Sequence, residues 1–195
     1  MRLYHGAITA NGNTGAFTPK KHMRVILNIK NSGNIQPELT CGTGGSIDAQ
    51  SNYSTRGFST AVDADDDYER INQDSIETER ATNGNMYLTF NVLNESGKEK
   101  YFDGHAISGE TEGADDVPER WEIVGKWANT SGQIDIFGLK NTQGGSIASG
   151  STITVLGASD DIVNDTTGDG TIFEENDTGK HYIWNATSDS WTEIA

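Results

Sequence analysis

The chain has 195 residues, 33% of them hydrophobic, with 29 acidic against 14 basic side chains and a formal net charge of −15. A field of that sign repels nucleic acid and anionic membranes, so neither is expected as a partner. The length suffices to bury a core without covalent staples, and a single cysteine, Cys41, excludes an intrachain disulfide.

Residues 1–22 are polar, turn at Asn11-Gly12-Asn13-Thr14-Gly15, and read as an N-terminal arm in which Leu3, Ala7 and Ile8 could make a short strand. They hold no apolar run of signal-peptide length, and no segment approaches a membrane span, so synthesis in a cytoplasm is expected. Lys20, Lys21 and Arg24, with His22, make the basic cluster of the chain. It suits a strand-entry loop or a docking contact to an acidic neighbour.

Met23–Lys30 alternates, with Met23, Val25, Leu27 and Ile29 on one face, as a half-buried strand requires. Asn31-Ser32-Gly33-Asn34 turns the chain into Ile35–Cys41. Pro37 lacks an amide donor there, which predicts an edge or bulged strand. Cys41 ends an apolar run and reads as a small core residue. Residues 42–67 read as a long Gly/Ser/Thr-rich loop with a short strand near Tyr53–Ser59. The loop ends in an acidic run where Asp63, Asp65, Asp66 and Asp67 are candidate cation ligands, although the turn Gly and distal Glu of a calcium loop are missing.

Tyr68–Ile76 is a possible strand, and Met86–Leu93 a clear one with Met86, Leu88, Phe90 and Val92 inward. In Lys98–Ser108, Tyr101, Asp103 and His105 share one face and Phe102, Gly104 and Ala106 the other. After the acidic loop Gly109–Glu119 come three further strands, with Trp121, Trp127, Ile134, Ile136, Ile153 and Val155 as core residues. Beyond Ala158 a linker leads to short strands at Thr171–Glu175, Lys180–Asn185 and Trp191–Ile194. In the linker, Asp165 and Asp169 sit at the first and fifth positions of a calcium-like loop whose twelfth position is Asn176 rather than Glu. Tyr182, Trp184 and Trp191 lie in a segment with little core to hide in. They are candidates for interface packing or for stacking on a glycan.

The scattered histidines His5, His22, His105 and His181 lack metal-ligand spacing, and no nucleophile elbow, phosphate loop or zinc motif occurs. No enzyme activity and no cofactor other than a possible Ca²⁺ are expected. Strands spaced about every ten residues, with no helix of ordinary length, indicate an all-β fold, an antiparallel sandwich or jelly roll. The domains expected are an arm (1–22), a sandwich (23–158), and a linker with a small β-meander (159–195).

The order YLTFNVL, KYFDGHAISG, WEIVGKWANTSGQIDIFGL, a Gly-rich loop and STITVLGA resembles a jelly-roll domain of structural proteins of tailed bacteriophages and archaeal tailed viruses. The tail, DGTIFEENDTGKHYIWNATSDSWTEIA, is similar to a β-meander that recurs near the ends of phage virion proteins. Together they cover about half the chain. The resemblance implies a jelly-roll β-sandwich in a virion component made in the host cytoplasm and assembled as a homo-oligomer, often a trimer. It favours a capsid-surface decoration, turret or spike over a tail-fibre, tail-tip or glycan-binding receptor-recognition protein. Its partners would be copies of itself, other virion proteins such as the major capsid protein, and a host surface glycan.

Overall fold

The structure is a computed structural model and describes residues 1–60, 65–78, 80–81, 84–109, 114, 117–158, 170–175, 177–185 and 190–194. The chain divides into two compact units, Met1–Ala158 and Ser159–Ala195. The described residues form strands and no helix. In the first unit these are β1 (Arg2–Ala7), β2 (Gly12–Asn13), β3 (His22–Ser32), β4 (Pro37–Thr43), β5 (Ser46–Ile47), β6 (Tyr53–Thr60) and β7 (Asp65–Gln73). They continue with β8 (Ile76–Glu77), β9 (Gly84–Leu93), β10 (Lys100–Ser108), β11 (Glu119–Trp127), β12 (Ile136–Asn141), β13 (Ser146–Ile147) and β14 (Thr152–Ala158).

They build an antiparallel β-sandwich. The large sheet runs β1-β14-β3-β9-β10-β11-β6-β7, with β13 also on β3; the small sheet runs β2-β12-β4-β5, with β8 also on β4. Alternation works as expected in the large sheet: Val25, Leu27, Ile29, Leu88, Phe90, Ile123 and Trp127 point inward and meet Leu39, Cys41, Phe137 and Leu139 of the small sheet in one core. Burying each such side chain is worth about 1.5–3 kcal/mol. Tyr101 and Asp103 of β10 are exposed on the outer face, whereas Phe102, Gly104 and Ala106 are buried.

Polar side chains tie the layers together at one end. The Tyr53 hydroxyl on β6 accepts from the Cys41 amide on β4 (3.1 Å), and its proton lies between the carbonyls of Cys41 (2.7 Å) and Asp48 (3.0 Å). Trp127 stacks on Tyr53 at 6.3 Å and donates Nε1–H to the Asp48 carboxylate at 2.8 Å. Lys100 is fully buried, with Nζ 5.9 Å from the Trp127 ring centroid and donating to the carbonyls of Lys98 and Asn129. Asn94 is also fully buried and meets its needs by pairing with the Ile134 amide and carbonyl and the Lys20 carbonyl. Gly44 and Gly45, both at positive φ, turn their amides onto the Asp135 carboxylate, a geometry that favours glycine.

Three expectations need correction, and β12 adds a buried residue that alternation hides. Residues 1–22 are not an arm: β1 pairs with β14 as an edge of the large sheet, β2 pairs with β12 in the small sheet, and Ile8 is buried. Pro37 does not mark an edge strand. It opens β4, which lies between β12 and β5, and a strand's first position tolerates the missing amide. Among the described residues of 42–67, the expected short strand is present as β6, but the rest is not mainly loop, because Thr43–Ser46 closes a tight hairpin and Asp65–Asp67 open β7 as edge-strand backbone. In β12, Phe137 as well as Ile136 is buried. Phe137 and Leu139 lie opposite Cys41 and Leu39 in the main core, so Ile136 takes the opposite face of a strand covered on both sides. All six named core residues are nevertheless buried. The strands Glu119–Trp127, Ile136–Asn141 and Thr152–Ala158 follow one another along the chain, with the short β13 before the last, but are not mutual neighbours, since the chain crosses to the small sheet and returns.

Candidate binding and assembly site

The second unit contains β15 (Ile172–Glu175), β16 (Lys180–Asn185) and β17 (Ser190–Ile194), an antiparallel sheet in that order. Asp177-Thr178-Gly179 closes the first hairpin. Gly179 takes φ +68°, its amide donates to the Glu175 carbonyl at 2.7 Å, and the Thr178 hydroxyl donates to the Glu175 carboxylate. The pairing then determines what shares a face. Phe173 lies opposite Tyr182, Tyr182 opposite Glu193, and Trp184 opposite Trp191. Directly paired residues project to the same side, so one face carries Phe173, Glu175, Lys180, Tyr182, Trp184, Trp191 and Glu193. The other carries Ile172, Ile183 and Ile194 around Glu174 and His181, which lie 3.9 Å apart, with Asn185, Ser190 and Thr192 at its margin.

The aromatic face converges. Phe173 and Trp191 lean together across the central strand, with ring centroids 6.0 Å apart and planes at 58°. Phe173 and Tyr182 are 6.3 Å apart at 35°, and Trp184 and Trp191 are 5.3 Å apart at 59°. Tilted contacts of this kind suit the ring quadrupole. Trp184 is only 7% exposed and anchors the cluster, whereas Phe173 is 52% and Trp191 41% exposed. Phe173, Tyr182, Trp191 and Glu175 line a shallow cavity of about 330 Å³. At its margin Lys180 donates to Glu193 at 3.0 Å; that bond, with the nearby negative charge, raises the Lys180 pKa. Glu175 is the charged residue of the cavity wall. The aliphatic face is open, with Ile172 61% and Ile194 36% exposed.

The candidate residues therefore divide. Tyr182 and Trp191 both line the cavity, and Trp184, only 7% exposed, packs on Trp191 beneath it. Phe173 and Glu175, not singled out from the sequence, complete the cavity; period-two alternation through 171–175 is the signal that puts them on one face. Of the docking residues, Arg24 is exposed on the outer face of the large sheet, while Lys20 and Lys21 are half-buried where the chain enters β3. Of the cation candidates, Asp63, Asp165 and Asp169 lie outside the described residues. Asp65, Asp66 and Asp67 have strand backbone, which lacks the tight turn of a calcium loop, and Asp67 is exposed. No group of three or more His, Cys, Asp and Glu suited to a metal occurs among the described residues. Cys41 is a buried thiol whose pKa is pushed far up by burial, with Tyr53 opposing, so it is no thiolate nucleophile. Comparison with protein-family models, with curated proteins and with solved structures finds no match to this chain.

Proposed function

We propose that this chain is a structural protein of a virus particle, a capsid-surface decoration, turret or spike component of the jelly-roll class that assembles as a homo-oligomer. The resemblance of Met86–Ala158 and of the tail to virion proteins points to the setting. The observation that carries the reading is the open aliphatic face of the terminal sheet. A three-stranded sheet needs a packed face for stability. The rings of Phe173, Tyr182, Trp184 and Trp191 supply one, and on the other exposed Ile172 and Ile194, with half-buried Ile183 and the Glu174–His181 pair between them, remain available to second copies. Three such faces brought together around an axis would bury one another, a geometry in keeping with a homotrimer. Arg24 on the sandwich would be a basic contact to another virion protein, with the acidic surface left toward solvent.

Sedimentation velocity on the full chain tests this reading. A discrete species of several times 21.1 kDa is expected. Ile172→Glu with Ile194→Glu should return it to a monomer that is still folded. A stable monomer at high concentration that fails to bind a virus particle would refute the proposal.

A further inference from the structure

The aromatic face has a chemistry of its own, independent of any self-association through the opposite face. Three rings, packed on one another at different inclinations, line the recess in place of a single flat platform. Phe173 and Tyr182 meet at 35°, and Phe173 and Trp191 at 58°. A pyranose stacks on one flat exposed ring face, and the mutual tilt breaks up such a surface. A rounded cation instead gains from several ring faces at once, because each presents the negative side of its quadrupole within about 6 Å. Charge complementarity points the same way. Glu175 is the charged residue of the wall; its carboxylate accepts from the Thr178 hydroxyl and lies opposite Lys180, whose ammonium is held by Glu193 beside Tyr182, so the two carboxylates outweigh the one cation there. A chain of net charge −15 adds a field that concentrates cations near its surface. We infer that Phe173, Tyr182, Trp191 and Glu175 form a binding site for an organic cation, a quaternary or fully alkylated ammonium head.

Alkyl groups on the nitrogen matter to this assignment. They remove the N–H donors that keep a bare ammonium hydrated, so the head can enter a shallow aromatic recess at a lower desolvation cost. The Glu175 carboxylate then acts as a nearby counter-charge rather than a hydrogen-bond partner. The same head occurs on small molecules, on choline-decorated polymers and on methylated lysine side chains. The recess reads the head alone, so all three sources should compete for it.

The test follows the Trp191 indole resonance of the full chain by NMR during titration with choline chloride. A saturable shift in the millimolar range is expected, and a trimethyl-lysine peptide should compete where its unmodified lysine counterpart competes less well. The uncharged carbon isostere dimethylbutanol should bind about two- to fivefold more weakly, since the cation–π contribution is lost. Glu175→Gln keeps the rings and should weaken choline about three- to fivefold, the loss expected of an exposed charge contact. Phe173→Leu, which preserves an apolar strand residue, should weaken it further. Absence of a saturable choline shift would overturn the proposal. So would an isostere that binds as tightly as choline, or saturation by methyl glucoside in place of choline. Unchanged affinity in Glu175→Gln would remove the carboxylate from the site.

Discussion

The sandwich and the terminal meander are built from the same alternating strands and reach opposite outcomes. In the sandwich the inward rows of the two sheets meet in one core, and several buried polar groups are paired: Tyr53 with Cys41, Trp127 with Asp48, Asn94 with Ile134. In the meander one face closes on itself through tilted rings, and the other leaves Ile172 at 61% exposure. Alternation specifies which residues share a side, and a second layer decides whether that side is core or surface. A self-sufficient unit and a unit with open faces therefore look alike in a sequence window.

Substitutions should separate the two units sharply. The largest effect is expected at Trp127, which fills the sandwich core, stacks on Tyr53 and holds Asp48. Trp127→Ala should cost about 3–5 kcal/mol in urea denaturation, while Trp191→Ala leaves the sandwich transition in place. Next comes the tie between the sheets. Tyr53→Phe keeps the ring but leaves the Cys41 amide without its partner, and should cost about 1–2 kcal/mol by the same measurement.

A smaller effect is expected with acid. Burial alone would raise the Asp48 pKa, but hydrogen bonds from Asn52, the Gln50 amide and Trp127 outweigh it and the net shift is downward. Asp74 is also lowered, chiefly by its hydrogen bond from Lys140. Carboxylates with depressed folded pKa values stabilise fully above the unfolded value of about 3.9. That contribution is lost as pH falls through the lower folded values, because the unfolded chain takes up protons more readily. Thermal unfolding should therefore show stability falling below about pH 4, and Asp48→Asn should flatten that slope. A slope unchanged by Asp48→Asn would remove this carboxylate from the acid response. The smallest stability effect belongs to the open face. Ile172→Ser should change the sandwich's stability by no more than about 0.5 kcal/mol while reducing self-association in sedimentation.

Much of the fold was legible because it rests on local alternation. Met23–Lys30, Met86–Leu93 and the paired faces of Lys98–Ser108 show period two without ambiguity, and the structure places their apolar rows inside. Readings failed where tertiary pairing overrode local character. Arg2–Ala7 is polar enough to read as either an arm or a short strand, and the edge that β14 offers makes it a strand. Pro37 suggested an edge, yet only the first residue of β4 is affected. Phe137 was hidden because β12 is covered on both faces, which erases alternation. At the candidate site, the crowding of Tyr182, Trp184 and Trp191 was visible in the sequence. Their division into an anchor and two walls was not, because it depends on how far Phe173 and Trp191 lean across β16.

Hydrogen exchange measured on the full chain at low and high protein concentration tests most directly whether the sandwich is self-sufficient and the meander completed by other copies. Protection of the β3, β9 and β10 amides should be the same at both concentrations, while that of β15, β16 and β17 should rise as the aliphatic faces are covered. Equal protection of the meander at every concentration, in a chain that stays monomeric, would contradict the account.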